Sequence, residues 1–127
     1  MDQNPQQNSD ESKVKRVAEI MRLATENLRI FVPEIIGLHN AQFHNEMDDC
    51  LSLELNKKMC IAVARGHGKT SHISVAYPLW EIGKNHNVRI LLVSSTADIT
   101  RRCVTEIVAI YRNRKTPLVD EYDSMKD

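Results

Sequence analysis

The feature that most limits what this chain can fold into is a short glycine-bearing segment, Arg65-Gly66-His67-Gly68-Lys69-Thr70, set between stretches of different periodicity. Ahead of it, Met59-Cys60-Ile61-Ala62-Val63-Ala64 is an unbroken apolar run, the pattern of a strand buried on both faces. After it, Ile73, Ala76, Tyr77 and Trp80 recur at helical spacing with Leu79 beside them, and Gly83 with Asn85 supplies a C-terminal stop. The segment reads as a turn from strand into helix. Pro78 lies inside the helical pattern and is expected to kink it, because proline removes a backbone hydrogen bond. Val88 to Ser95 forms a second β-like run, and Thr96 then offers an N-cap with Asp98 in the first turn of a further helix. That helix has Ile99, Cys103, Ile107, Ile110 and Tyr111 as its core stripe. Strand, helix, strand, helix predicts an α/β fold with parallel strands and right-handed crossovers.

Helices are expected to precede this unit. Residues 1–12, rich in Gln, Asn, Ser and Asp, are expected to be a disordered tail, and residues 13–127 a single domain. From Val14 onward, Val17, Ala18, Met21, Leu28 and Phe31 fall on one helical face until Pro33 interrupts it. A second helix is expected after Asn40 as N-cap, with Phe43, Met47, Cys50 and Leu51 as its buried stripe.

Charge and composition narrow the partners. Seventeen Lys+Arg balance seventeen Asp+Glu, so no bulk field attracts nucleic acid or an anionic membrane, and any DNA contact must be local. The three cysteines, Cys50, Cys60 and Cys103, lack C-x-x-C spacing and are expected to be reduced core thiols. The N-terminus lacks the basic-then-apolar profile of a secretory signal, and no apolar run approaches the roughly 18 residues of a membrane span. A cytoplasmic chain is expected.

The glycine segment carries the chemistry. Phosphate oxygens require several backbone N–H donors converging on one point, and Gly66 and Gly68 allow that turn while keeping side chains out of the anion's way. A helix starting near Lys69 would present its positive end, Lys69 would reach the β and γ phosphates, and the Thr70 hydroxyl would ligate Mg²⁺. The strict Walker A pattern places a glycine five positions before Gly68, where this chain has Val63, so the motif is a variant. Arg65 is either a phosphate-steadying guanidinium or a solvent-facing arginine. His67 and His72 have no carboxylate or thiol at metal-binding spacing and are expected to be polar loop and helix residues, without a transition metal.

The segment from Ala64 to Thr70, with Tyr77-Pro78-Leu79-Trp80 and Ile90 to Thr96 after it, resembles the N-terminal ATPase domain of phage terminase large subunits. In that family an arginine ahead of the glycines is usual, which accommodates the variant motif. The resemblance runs from about Phe43 to Tyr111 and implies a partial P-loop NTPase fold binding ATP and Mg²⁺ through Arg65, Gly66, His67, Gly68, Lys69 and Thr70. It also implies double-stranded DNA, a terminase small subunit and a portal protein as partners. Ser94, Ser95 and Thr96 match a turn coupling nucleotide state to DNA, and Gln42-Phe43-His44 with Met47 matches the stretch that holds adenine, although Phe43 also fits an ordinary core stripe.

Other elements of such a motor are missing. Hydrolysis needs an acidic pair at the end of an apolar strand, and the sole candidate, Asp120-Glu121, follows a poor strand containing Pro117. No nuclease carboxylate cluster follows. The chain is therefore expected to be an incomplete ATPase that turns over only if completed by missing elements, with its catalytic residues unknown. The alternatives are a non-catalytic partner protein acting by association, or a fragment of another P-loop ATPase of helicase-like type. Arg101, Arg102, Arg112, Arg114 and Lys115 would either touch DNA phosphates or form a solvated face.

Overall fold

The computed structural model describes residues 5–53 and 58–112. Helix α1 (Pro5–Glu26) leads to α2 (Leu28–Phe31), a π-helical turn (Val32–Ile36) and α3 (Gln42–Ser52). A π-helical segment (Thr70–Ala76) then runs directly into α4 (Tyr77–Lys84), and α5 (Ala97–Arg112) follows. The expected α/β fold with parallel strands is overturned, because the described residues contain helical segments and no strand. The runs 59–64 and 88–95 lie outside any helix or sheet. An apolar run marks a buried strand only if something covers both faces and a neighbour completes the ladder. Here Met59 and Ile90 remain 39% and 41% exposed, and Leu91 and Val93 reach 86% and 82%.

The helices associate through a small core. Leu28, Val32, Ala76 and Trp80 are buried together, with Phe31, Ile36, Leu51 and Tyr77 packed around them. Trp80 closes this core from α4, and its Nε1–H donates to the Ala24 carbonyl at 2.8 Å, so the polar edge of the indole is satisfied inside the molecule. The backbone N–H of Leu28 donates to Ser52 Oγ at 3.1 Å, tying α2 to the end of α3.

Local details depart from the sequence reading in instructive ways. The inward face of α1 is Val17, Ile20, Leu23 and Ala24, whereas Ala18 and Met21 are exposed. The first helical break falls at Asn27, whose backbone is extended (φ −132°, ψ 115°). Pro33 does not end the path. It sits at the start of the π-helical stretch, where the pitch changes, and the stop comes at Gly37 in the left-handed region (φ 85°). Pro78 is handled similarly, lying in the first turn of α4 just after the wide pitch ends. Tyr77 N–H closes the preceding segment by donating to the His72 carbonyl. The proline thus coincides with a change of pitch in a continuous helical path. Helix α1 also takes in residues 5–12, where the side chains of residues 9–12 are exposed.

Helix α5 begins where expected. Thr96 Oγ1 accepts the Ile99 N–H at 3.4 Å, and Asp98 occupies the first turn. Its stripe is only partly covered: Cys103 is buried and Ile107 and Ile110 are half-buried, but Ile99 and Tyr111 are exposed. Of the cysteines expected in the core, Cys103 is buried while Cys50 and Cys60 are exposed. Among the described residues no helix is long and apolar enough to cross a membrane.

Candidate functional site

The glycine segment leaves residues 59–64 and enters the helical path at Lys69. Gly66 and Gly68 both take left-handed backbone conformations, at φ 78° and 71°. Only glycine adopts these without steric cost, which is why this turn carries two of the chain's four glycines. A Cβ on Gly66 would meet nothing within 4 Å, whereas one on Gly68 would stand 3.1 Å from His44 Nε2. The loop is therefore open on one side and walled on the other. His67 folds over its own turn, its Nδ1 lying 3.0 Å from the Arg65 carbonyl. The Gly68 carbonyl accepts the His72 N–H at 3.0 Å, making it the first acceptor of the following helix.

Lys69 is half-buried and donates one Nζ proton to the Val63 carbonyl at 3.1 Å. An ammonium has three donors, so this bond holds the group beneath the loop and leaves capacity for an anion. Arg65, His67 and Thr70 are exposed. The structure thus brings Gly66, Gly68, Lys69 and Thr70 together at the start of one helix.

The wall behind the loop was not expected from the sequence. His44, at the third position of α3, accepts the Ala41 N–H on Nδ1 at 3.0 Å. That assignment leaves the ring proton on Nε2, which donates to the His67 carbonyl at 2.6 Å. The His44 ring stacks on His72, with centroids 4.4 Å apart and planes 8° from parallel. His72 Nδ1 in turn lies 2.9 Å from Asp48 Oδ1, and both side chains are almost wholly buried. A buried carboxylate is tolerated only when hydrogen-bonded. Asp48 meets this condition through His72 and through Asn40 Nδ2 at 3.0 Å on its other oxygen. Asn40, expected to cap α3, instead spans Asp48 and Asn45, and Ala41 is the capping residue. Asn40 Oδ1 is a buried acceptor without a partner among the described residues.

The pairing of His72 with Asp48 escaped the sequence reading because 24 residues separate them. One signal was available. Asp48 and His44 are four residues apart on α3 and lie beside Met47, inside the stripe expected to be buried, and a carboxylate there requires a partner. Phe43 is half-buried, with its ring 3.9 Å from His44 and 5.4 Å edge-on to His67, so it buttresses the same wall.

Other candidates are scattered. Ser94 and Ser95 are exposed. Arg101 pairs with Asp98 at 3.3 Å on an exposed surface, where such pairs contribute little. Arg102 and Arg112 are exposed, and Arg114, Lys115, Asp120 and Glu121 lie outside the described residues. No group of three or more His, Cys, Asp or Glu side chains able to hold a metal ion occurs among the described residues. The chain matches no family model, no curated protein and no solved structure.

Proposed function

We propose that residues 65–70 bind the phosphates of a magnesium nucleotide, ATP foremost, and that the chain is the nucleotide-binding portion of a DNA-packaging motor of terminase type. The observation that carries the reading is the pair of left-handed glycines directly ahead of a lysine that opens a helical path. Such a turn exposes consecutive backbone N–H groups, and the helix start adds partial positive charge. The residues fit the group: the Gly66 side is open, Lys69 is held by the Val63 carbonyl, and Thr70 is an exposed residue whose hydroxyl would ligate a magnesium ion. Bound magnesium would offset part of the phosphate charge.

The motor assignment rests on the sequence resemblance. Double-stranded DNA, a small terminase subunit and a portal protein are its proposed partners, and the host cytoplasm its proposed location. On this reading the chain alone does not hydrolyse ATP, because the described hydrogen bond of the Lys69 ammonium goes to the Val63 carbonyl and not to an acid.

Calorimetric titration with Mg-ATP, in parallel with phosphate release, tests this reading on the wild type and Lys69→Ala. The wild type should bind without turnover, and Lys69→Ala should bind about tenfold or more weakly, the scale of a lost charged hydrogen bond. A folded wild type that gives no binding heat would sink the phosphate reading, and steady phosphate release would overturn the non-hydrolytic part.

A second reading, a partner protein acting by association, is favoured by one observation. Leu91 and Val93 are large apolar side chains almost fully in solvent, next to Ile90, which is also exposed.

A further inference from the structure

The contacts behind the glycine loop form a continuous support from the interior to one loop carbonyl. Asn40 holds Asp48, Asp48 holds His72, His72 stacks on His44, and His44 donates to the His67 carbonyl. The last bond is the short one, at 2.6 Å, and it acts on the peptide that joins His67 to Gly68. A peptide group is planar, so fixing its carbonyl also fixes its N–H, which belongs to Gly68 and points the opposite way. With the carbonyl drawn toward α3, the Gly68 N–H is aimed away from α3. That is the orientation a converging set of anion donors requires.

We propose that His44 is a positioning residue for the phosphate loop: by holding the His67 carbonyl it turns the Gly68 N–H toward the anion, with His72 and Asp48 setting the plane of its ring. This rests on the phosphate-binding reading above. The local chemistry makes His44 suited to the task. It must accept from Ala41 N–H and donate to His67 O with the same ring, and a neutral imidazole does both with a fixed separation between its two nitrogens. Stacking on His72, which is itself anchored by a buried carboxylate, limits rotation of the ring. Gly68 matches this arrangement, because any side chain there would push against His44 Nε2. Position 44 and position 68 are thus complementary, although 24 residues apart in the chain.

The test compares the full chain with His44→Gln and His44→Leu. Glutamine carries one acceptor and one donor on its amide, and at the third helical position it also keeps the bond to the capping residue's N–H. Leucine keeps neither. Mg-ATP titration of all three, with Lys69→Ala as reference, is accompanied by long-range ¹H–¹⁵N spectra of the histidine rings. The expected result is a His44 ring protonated on Nε2, binding by His44→Gln within about threefold of wild type, and binding by His44→Leu weaker by about tenfold, the scale of a lost hydrogen bond to a charged or functional group. Undiminished binding by His44→Leu overturns the positioning role while leaving the phosphate reading intact. No binding by the folded wild type overturns both. If His44→Leu fails to fold, the decision passes to the other two readouts: a folded His44→Gln that binds as poorly as Lys69→Ala, or a His44 ring protonated on Nδ1, overturns the role.

Discussion

A methyl group added at position 66 and one added at position 68 should have different consequences. At Gly66 the added carbon meets nothing within 4 Å, so Gly66→Ala should cost only the left-handed backbone penalty, about 1 kcal/mol. At Gly68 the same penalty is joined by a 3.1 Å approach to His44 Nε2, and a total of about 2 kcal/mol is expected. Urea denaturation of the two variants measures the difference, and equal losses would mean that His44 yields freely. Tyr77 offers a second check. Burial, and after it the nearby Glu81 carboxylate, pushes its phenol above its ordinary value of 10.0. A raised value in the folded state means that Tyr77's contribution to stability is complete below pH 10 and is lost as pH rises through the folded-state value. Absorbance titration of wild type and Tyr77→Phe should show the late-ionising phenol disappear in the variant.

At the scale of elements, the Asp48–His72 pair joins α3 to the helical path that follows the loop. Asp48→Ala would leave His72 Nδ1 and Asn40 without their acceptor in a buried setting, at a cost of about 3 kcal/mol. Thermal unfolding should show this loss, while Asp49→Ala, which removes only an exposed contact to Arg29, should change little. Helices were the legible part of the sequence. The stripe through Cys103 and the spacing from Ile73 to Trp80 report local periodicity and lie in helical segments, and the Thr96 cap directly precedes α5. Pro33 misled because sequence rules treat proline as a breaker, whereas it is absorbed where the helical pitch changes, and Pro78, expected to kink its helix, also stands at a change of pitch. The loop's left-handed glycines were readable from residue type. Its supporting wall was not, since His72 stands 24 residues beyond Asp48 and reaches Asp48 and His44 only through folding.

For the whole molecule, the fold class was misread because an apolar run reveals hydrophobicity and not what covers it. Ile90 and Leu92 line a groove with Pro78, Ile82, Val104 and Ile107, while Leu91 and Val93 between and beside them remain in solvent. Replacing both exposed residues, as Leu91→Lys with Val93→Lys, should leave the helical signal unchanged and reduce concentration-dependent association in sedimentation velocity. Identical sedimentation by the two proteins would remove the support for the association reading. Trp80 has a practical consequence at this scale. It is the sole tryptophan of the chain, lodged in the core with its indole N–H bonded to the Ala24 carbonyl of α1. The molecule therefore contains its own optical gauge: ultraviolet emission from that one ring should stay blue while the N-terminal helix is docked and shift to the red when it lifts away, with no dye attached.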